Sequence, residues 1–212
     1  MVFLALAGKK ATIKATTEGL TFEGETFTTE DDQSYTIDDD FKKVWDREAE
    51  ITVYEDGVET EEDFTVNRLT GTITFENEDS TRGNITADGE YLPLQIIADA
   101  YEYDYSLEAD NVEDTSFGSE YVSREQTLLD ISGDISRWYE LDDYFTDILL
   151  SGEPFVVEFY SFYEEEEPSE PDIRAWILLD TDEISAVVDG LVEEDVSFEG
   201  TNDIDGNVVV KI

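Results

Sequence analysis

Hydrophobic and polar residues alternate with a period of two along most of the first half of the chain, the pattern of half-buried β-strands. It covers residues 11–16, 19–28, 34–37, 50–54, 63–66 and 70–75. Turn chemistry punctuates these runs. Asp56-Gly57, directly after Ile51-Thr52-Val53-Tyr54, predicts a type I′ hairpin turn, which needs positive φ at both central residues. Asp88-Gly89, between Asn84-Ile85-Thr86 and Tyr91-Leu92, predicts a second hairpin, and Asp205-Gly206 precedes a terminal strand at residues 207–212.

The period changes once, near the middle of the second half. Leu141, Phe145, Ile148 and Leu149 recur at helical spacing, Asp142-Asp143 suit the positive end of a helix dipole, and Ser151-Gly152-Glu153-Pro154 is a stop. This predicts one helix at about 141–151. A hydrophobic strand follows at 155–163, then an acidic loop at 164–172 containing Pro168 and Pro171, then a strand at 173–179. Residues 183–200 fit either element, since Ile184, Val187, Val188 and Leu191 are also spaced for a helix. Their β-branched content and the alternation of Val196 and Phe198 favour strand. Strand patterns lie on both sides of the helix with no Gly/Ser/Pro linker between them, so residues 1–212 read as a single, mainly β domain.

Composition changes the picture in two ways. Leu, Ile, Val and Phe make up about 27% of the 212 residues, above the roughly 20% that marks disordered chains, so a core can form. Against this stand 56 Asp and Glu and only 12 Lys and Arg, a formal net charge of -44. On a compact protein of 24.1 kDa, with about 10,000 Å² of surface, that places uncompensated charges about 15 Å apart. The screening length is about 10 Å at 0.1 M salt and about 3 Å at 1 M, so neighbours repel in dilute buffer and hardly at all in brine. The acids are spread along the chain, the longest run being Glu164 to Glu167, which points to a salt-adapted protein rather than an acidic tail.

Much chemistry is excluded. With no His and no Cys there is no imidazole acid/base or ligand, no thiolate zinc site and no disulfide, and the shortage of bases argues against binding nucleic acid by neutralising phosphates. Paired carboxylates could serve glycoside hydrolysis, but with 56 acids a pair is uninformative. Residues 201–206 suggest a calcium loop until aligned on Gly206, where the end positions that need acids are Thr201 and Ile212; a turn is the simpler reading. Asn84-Ile85-Thr86 matches a glycosylation sequon by pattern alone, and no phosphate-binding glycine loop is present. Tyr101, Tyr103 and Tyr105 alternate with acids and would share one strand face, either a stacking platform or, better, a stripe turned to the core or to an interface. Residues 1–7 are apolar and with Gly8 make an N-terminal arm; they are too short to span a bilayer, and Lys9-Lys10 follow rather than precede them, unlike a signal peptide. The arm is either a first strand buried in its own core or an extension packed on a neighbouring subunit.

An ordered set of segments carries a family resemblance. It consists of Asp40-Phe41-Lys42-Lys43-Val44-Trp45-Asp46, Asp56-Gly57, Thr65-Val66-Asn67-Arg68-Leu69-Thr70-Gly71-Thr72-Ile73-Thr74-Phe75, Gly89-Glu90-Tyr91-Leu92-Pro93, Asp114-Thr115-Ser116-Phe117-Gly118, the stretch 183–194 and Val196-Ser197-Phe198-Glu199-Gly200-Thr201. No one of these is diagnostic; together, over residues 9–210, they resemble the major tail tube proteins of long-tailed, siphovirus-like bacterial and archaeal viruses. The resemblance implies a β-sandwich or barrel with one flanking helix, here at 142–151. Six copies would form a ring with a continuous inner β-barrel, and stacked rings a tube through which double-stranded DNA passes. Lumen strands would come from around 92–107 and 128–138. The implied partners are further copies of the chain and terminator, tape-measure and baseplate proteins, in a virion tail assembled in the host cytoplasm without membrane insertion. The family has no catalytic residues, metal or cofactor to carry over, and the acidity implies a virus of haloarchaea. The alternatives are another ring-forming tail component, such as a terminator or decoration protein, and a secreted halophilic carbohydrate-active β-sandwich.

Overall fold

The computed structural model describes residues 12–29, 31–97, 100–113, 124–139, 144–161, 170–186 and 192–212, with side chains at all of these except 110–113 and 124–128. In chain order the elements are β1 (Thr12–Thr16), β2 (Leu20–Thr29), β3 (Ser34–Ile37), a single 3-10 turn (Asp40–Lys42), β4 (Thr52–Glu55), β5 (Val58–Glu59), β6 (Phe64–Asn67), β7 (Thr72–Phe75), β8 (Ile85–Tyr91), β9 (Leu94–Ile96), β10 (Ala100–Glu113), β11 (Arg124–Trp138), α1 (Tyr144–Ser151), β12 (Phe155–Tyr160), β13 (Ile173–Ala186), β14 (Val192–Gly200) and β15 (Val209–Lys211). The protein is mainly β with one α-helix among the described residues. The apolar arm at 1–8 and most of the acidic loop, 162–169, lie outside them.

The strands form two antiparallel sheets. One has the order β10-β11-β14-β13-β12-β1-β9, with β15 also on β13; the other runs β5-β4-β8-β2-β3-β7-β6. The first sheet curls, so that β1 approaches β10. Its concave face holds Ile13, Ile131, Ile135, Phe155, Val157, Phe159, Ile177 and Phe198, closed from below by Phe145, Ile148 and Leu149 of α1. Those three helix residues are the ones at i, i+3 and i+4, and the helix ends where Gly152 takes φ 66° and donates its N–H to Ile148 O at 3.0 Å. The second sheet wraps a smaller core around Trp45, whose ring lies 5.6 Å from Phe22 and 5.9 Å from Phe27.

The two sheets meet through β12 and the first half of β13. Every residue of β12 is buried, because Phe155, Val157 and Phe159 face the first core while Val156, with Trp176, packs on Val44 and Leu69 from the second unit. The same face carries a buried ion pair. Arg174 donates Nε to Glu158 Oε1 at 2.7 Å, its Nη1 donates to the backbone oxygen of Leu69, and Tyr160 donates its hydroxyl to Glu158 Oε2. Arg68 makes the return connection, donating to Asp205 Oδ2 at 2.8 Å and to the backbone oxygens of Asp46 and Ala49.

Asp56 and Gly57 have φ of 51° and 79° and close the expected hairpin between β4 and β5. Asp88-Gly89 does not turn. It sits inside β8, where Asp88 Oδ1 accepts the N–H of Gly24 at 2.7 Å across a bulge in β2 and Asp88 Oδ2 accepts the hydroxyl of Tyr54. Gly89 is required by space instead: a Cβ there would lie 2.6 Å from Ile51 Cδ1 and 2.8 Å from Phe22 Cζ. Residues 183–186 and 192–200 are strand, as their β-branched content favours, and 187–191 lie outside the described residues.

Replacing Arg174 by Met removes the guanidinium from the buried Glu158 carboxylate and leaves the Tyr160 hydroxyl as a neutral donor to it. The expected loss is about 3–5 kcal/mol, and the double replacement Glu158→Gln/Arg174→Met is expected to recover part of it. Denaturant unfolding of both variants in molar salt measures the difference.

Candidate assembly surface

Beyond the core, four strands of the first sheet continue as long arms: β10, β11, β14 and the second half of β13, adjacent in that order. Register fixes which residues share a face. Tyr103, Leu107, Ile131, Ile135, Val196, Phe198 and Ile184 are on the concave side, whereas Glu102, Asp104, Ser106 and Glu108 of β10 lie on the convex side. That convex face continues with Asp130, Ser132, Asp134, Ser136 and Trp138, then Glu193, Asp195, Ser197 and Glu199, and ends with Thr181, Glu183 and Ser185. Among the described side chains it carries no Lys or Arg.

Carboxylates and hydroxyls interleave on this face. Asp134 stands opposite Ser197, Glu199 opposite Ser132 and Glu193 opposite Ser185; Ser136 donates to Asp195 Oδ1, and Thr181 and Ser197 share a hydrogen bond of 2.6 Å. Three cross-strand pairs set acid against acid: Asp104 with Asp134, Glu108 with Asp130, and Glu183 with Asp195. Directly opposed side chains have Cβ atoms about 4.5–5.5 Å apart, well within a screening length in dilute buffer.

A bulge changes the phase of β13. Leu179 pairs with Phe198 and Thr181 with Ser197, so Asp180 is the extra residue. Upstream, even-numbered residues (Arg174, Trp176) face the second sheet; downstream, the odd-numbered Thr181, Glu183 and Ser185 face outward, and Asp182 turns inward to accept a hydrogen bond from Thr146 of α1 at 2.6 Å. A second irregularity, between Ala100 and Glu102, separates the three alternating tyrosines. Tyr103 and Tyr105 each lie 5.1 Å from Phe159 in the core, while Tyr101 packs at a tilt against Trp138, the ring centroids 4.7 Å apart. The stripe is therefore not one exposed platform. Burial raises the hydroxyl pKa of all three, and the charges of Glu193 and Asp195 add to the effect at Tyr101.

Among the described residues, the arms end in two unpaired edges. β10 is paired along its length with β11, and among the described residues no strand pairs with its other side. On β13, pairing with β12 stops at Ile177, and among the described residues no strand pairs with that edge of the segment after it. Because all four strands are antiparallel, β10 and β13 run in opposite directions, and the β10 edge of one copy would meet the β13 edge of another in antiparallel sense.

The expected turn at residues 201–206 is present. Asp203 Oδ1 accepts the backbone N–H groups of Asp205 and Asn207, which leaves it filled as a turn; among the described residues no group of three or more acids is arranged to hold a metal ion. No helix among them is long and apolar enough to cross a membrane. Of the lumen strands that the resemblance implies, 92–107 and 128–138 fall on β9, β10 and β11. The chain reading did not bring the β13 and β14 arms to the same sheet.

No family model matches the chain, and no curated protein matches it. Among solved structures it is similar to a chain of the tail of an empty gene transfer agent particle, refined with helical, C6 symmetry, and to one of the virion of a native gene transfer agent particle. The first match has 13% identity over 57% of this chain and 87% of that one, and the second 13% over 56% and 88%; both have a TM-score of 0.42.

Replacing Asp104 by Asn and Glu108 by Gln removes two of the three like-charged pairs. Thermal unfolding is expected to show a higher melting temperature for this variant than for the parent at 0.1 M salt and no difference at 2 M, each pair contributing a few tenths to about 1 kcal/mol.

Proposed function

We propose that this protein is a structural subunit of a viral tail tube, polymerising as stacked hexameric rings around a channel for genomic DNA. The observation that carries the reading is the pair of free edges, on opposite sides of one four-stranded antiparallel sheet. A sheet edge is a row of unpaired N–H and C=O groups, and natural proteins pair it, cover it or blunt it. Joining each β10 edge to the next copy's β13 edge is a head-to-tail contact, which closes into a ring when the rotation closes. The joined sheet is then a barrel without edges, and rings related by one translation stack into a tube. The ordered resemblance to tail tube proteins supplies the sixfold count and the placement in a virion.

The convex face of the arms would line the channel. DNA binds proteins largely through Lys and Arg that displace counterions from phosphates, and this face offers carboxylates and hydroxyls instead. Phosphate therefore finds no cationic partner along the wall, only hydroxyls interleaved with carboxylates, and the polymer slides. In brine the repulsion reaches only a few Å, so the wall is inert rather than strongly repelling. The net charge of -44 matches assembly in the high-salt cytoplasm of a haloarchaeal host. Terminator, tape-measure and baseplate proteins are the partners that would start, measure and stop such a tube.

Negative-stain electron microscopy of the purified protein in 2–3 M salt is expected to show stacked rings or tubes. Protein that stays monomeric there, even when tail initiation proteins are supplied, overturns the proposal, and single rings that never stack would make it a terminator-type component instead.

A further inference from the structure

Rows across the four arm strands connect Glu102 through Ser136 and Asp195 to Glu183, and Asp104 through Asp134 and Ser197 to Thr181. One bond sets the phase of the backbone groups along these rows. Tyr139 donates its N–H to the oxygen of Val192 directly opposite, so the core-side residues of β11 and β14 form the hydrogen-bonded pairs of that ladder. Hydrogen-bonded and non-hydrogen-bonded pairs alternate along an antiparallel ladder, and each residue points its N–H and C=O to one side. Tyr103, Tyr105 and Leu107 on β10, and Asp182, Ile184 and Ala186 on β13, therefore point theirs to the unpaired edges. Face and backbone phase agree, because in a seam between two copies core-side residues meet core-side residues and convex residues meet convex ones. Register can then shift only in steps of two.

We infer that β10 of one copy joins β13 of the next with Ser106 opposite Glu183, Asp104 opposite Ser185 and Tyr105 opposite Ile184. This seam rests on the tube reading and deepens it by fixing how two copies pair. Two independent constraints meet at it. The first is tilt, since the strands of a closed barrel lean typically about 35–45° from its axis. With about 3.3 Å per residue and about 4.8 Å between strands, a four-stranded repeat shifted by two residues per copy leans about 19°, by four about 35° and by six about 46°, whatever the number of copies. No shift gives no tilt, and a shift the other way carries Ser185 past Ala100, the first residue of β10.

The second constraint is charge. A shift of six sets Glu108 of one copy against Glu183 of the next, a shift of two sets Asp104 there, and no shift sets Glu102. At four, Glu183 meets Ser106, and Asp104 and Glu108 meet Ser185 and Thr181. Each of these convex pairs is then an acid beside a hydroxyl, as Asp134 with Ser197 and Glu199 with Ser132 are within the chain. Acids do oppose acids inside each hairpin, where the covalent connection holds the register; between copies nothing holds it, and it settles where repulsion is least. On the core side the same shift sets the half-exposed Ile184 beside Tyr105, with the half-exposed Leu107 diagonal to it.

The test uses the full chain assembled in molar salt. The chain has no Cys, and Ser106 and Glu183 of one copy stand three strands and four residues apart, on the order of 20 Å, where a disulfide needs Cα atoms within about 7 Å. Across the seam they form a non-hydrogen-bonded pair with Cα atoms about 4.5 Å apart. Mild oxidation of Ser106→Cys/Glu183→Cys rings or tubes is expected to give a covalent ladder on a denaturing gel that ends at one closed ring. Asp104→Cys/Glu183→Cys and Glu108→Cys/Glu183→Cys, one step to either side, are expected to link at least tenfold less. Equal or greater linkage in either neighbouring pair, or none in all three from intact rings, overturns the inference and leaves the tube reading standing. Parent protein that forms no rings removes the tube reading itself. A second measurement decides the matter if the Cys variants do not assemble. Ser106 lies opposite Ser132 in its own chain, so Ser106→Asp sets acid directly against acid only across the seam. It is expected to raise the salt concentration for half-assembly about twofold, and Glu183→Ser is expected to lower that midpoint by more in the Ser106→Asp chain than in the parent. An unmoved midpoint, or equal lowering in both chains, overturns the inference.

Discussion

The architecture depends on one pair of strands being buried on both faces. β12 and the first half of β13 serve as the floor of one core and the wall of another, and a strand covered on both sides must satisfy any polar group it carries internally. Arg174, Glu158 and Tyr160 do so together, and the link from Arg174 to the backbone of Leu69 joins the two sheets with a directional contact. A hydrophobic interface alone would leave the sheets freer to slide. The long arms are extensions of strands anchored in this joint, so their direction is fixed by it.

The distribution of the few bases follows the same logic. Arg68, Arg82, Arg137 and Arg174 have side chains no more than 7% exposed, each beside a carboxylate. Arg137 and Arg174 thus accompany the buried Glu194 and Glu158, while Arg68 and Arg82 reach from inside to acids at the surface, and bases are scarce among the exposed side chains. The formal charge of -44 consequently understates how one-sided the solvent-facing field is. Repulsion between two such surfaces is strong in dilute buffer and nearly absent in brine, so how closely one copy can approach another depends on ionic strength.

Period-two alternation was sufficient for the short strands of the second sheet and for the sign of each face, because one side of each meets Trp45 and its neighbours and the other meets water. The helix was legible because Phe145, Ile148 and Leu149 break that period. What escaped was non-local. Asp88-Gly89 has turn chemistry, but the strand opposite bulges at Gly24 and gives the Asp a partner, while close packing by Phe22 and Ile51 demands the Gly. The three tyrosines were expected on one face, and a single register shift after Ala100 divides them. The Arg174–Glu158 pair did leave a sequence signal. Each is a lone charge within an otherwise apolar run, Ile173-Arg174-Ala175-Trp176-Ile177 and Phe155-Val156-Val157-Glu158-Phe159, in a chain where bases are scarce. The free edges left none, since edge and interior strands differ only in their neighbours.

The bulge at Asp180 makes the length of β13 a reading frame. Upstream of it the residues alternate between one core and the other; downstream they alternate between the helix and open water. One added or lost residue in the arm would exchange those two sets, turning Glu183 towards α1 and Ile184 outward, without altering a single side chain. Substitution and length are therefore constrained differently here. The convex positions face water and accept any polar residue, whereas the count between Leu179 and Asp182 decides which face every later residue of the strand takes.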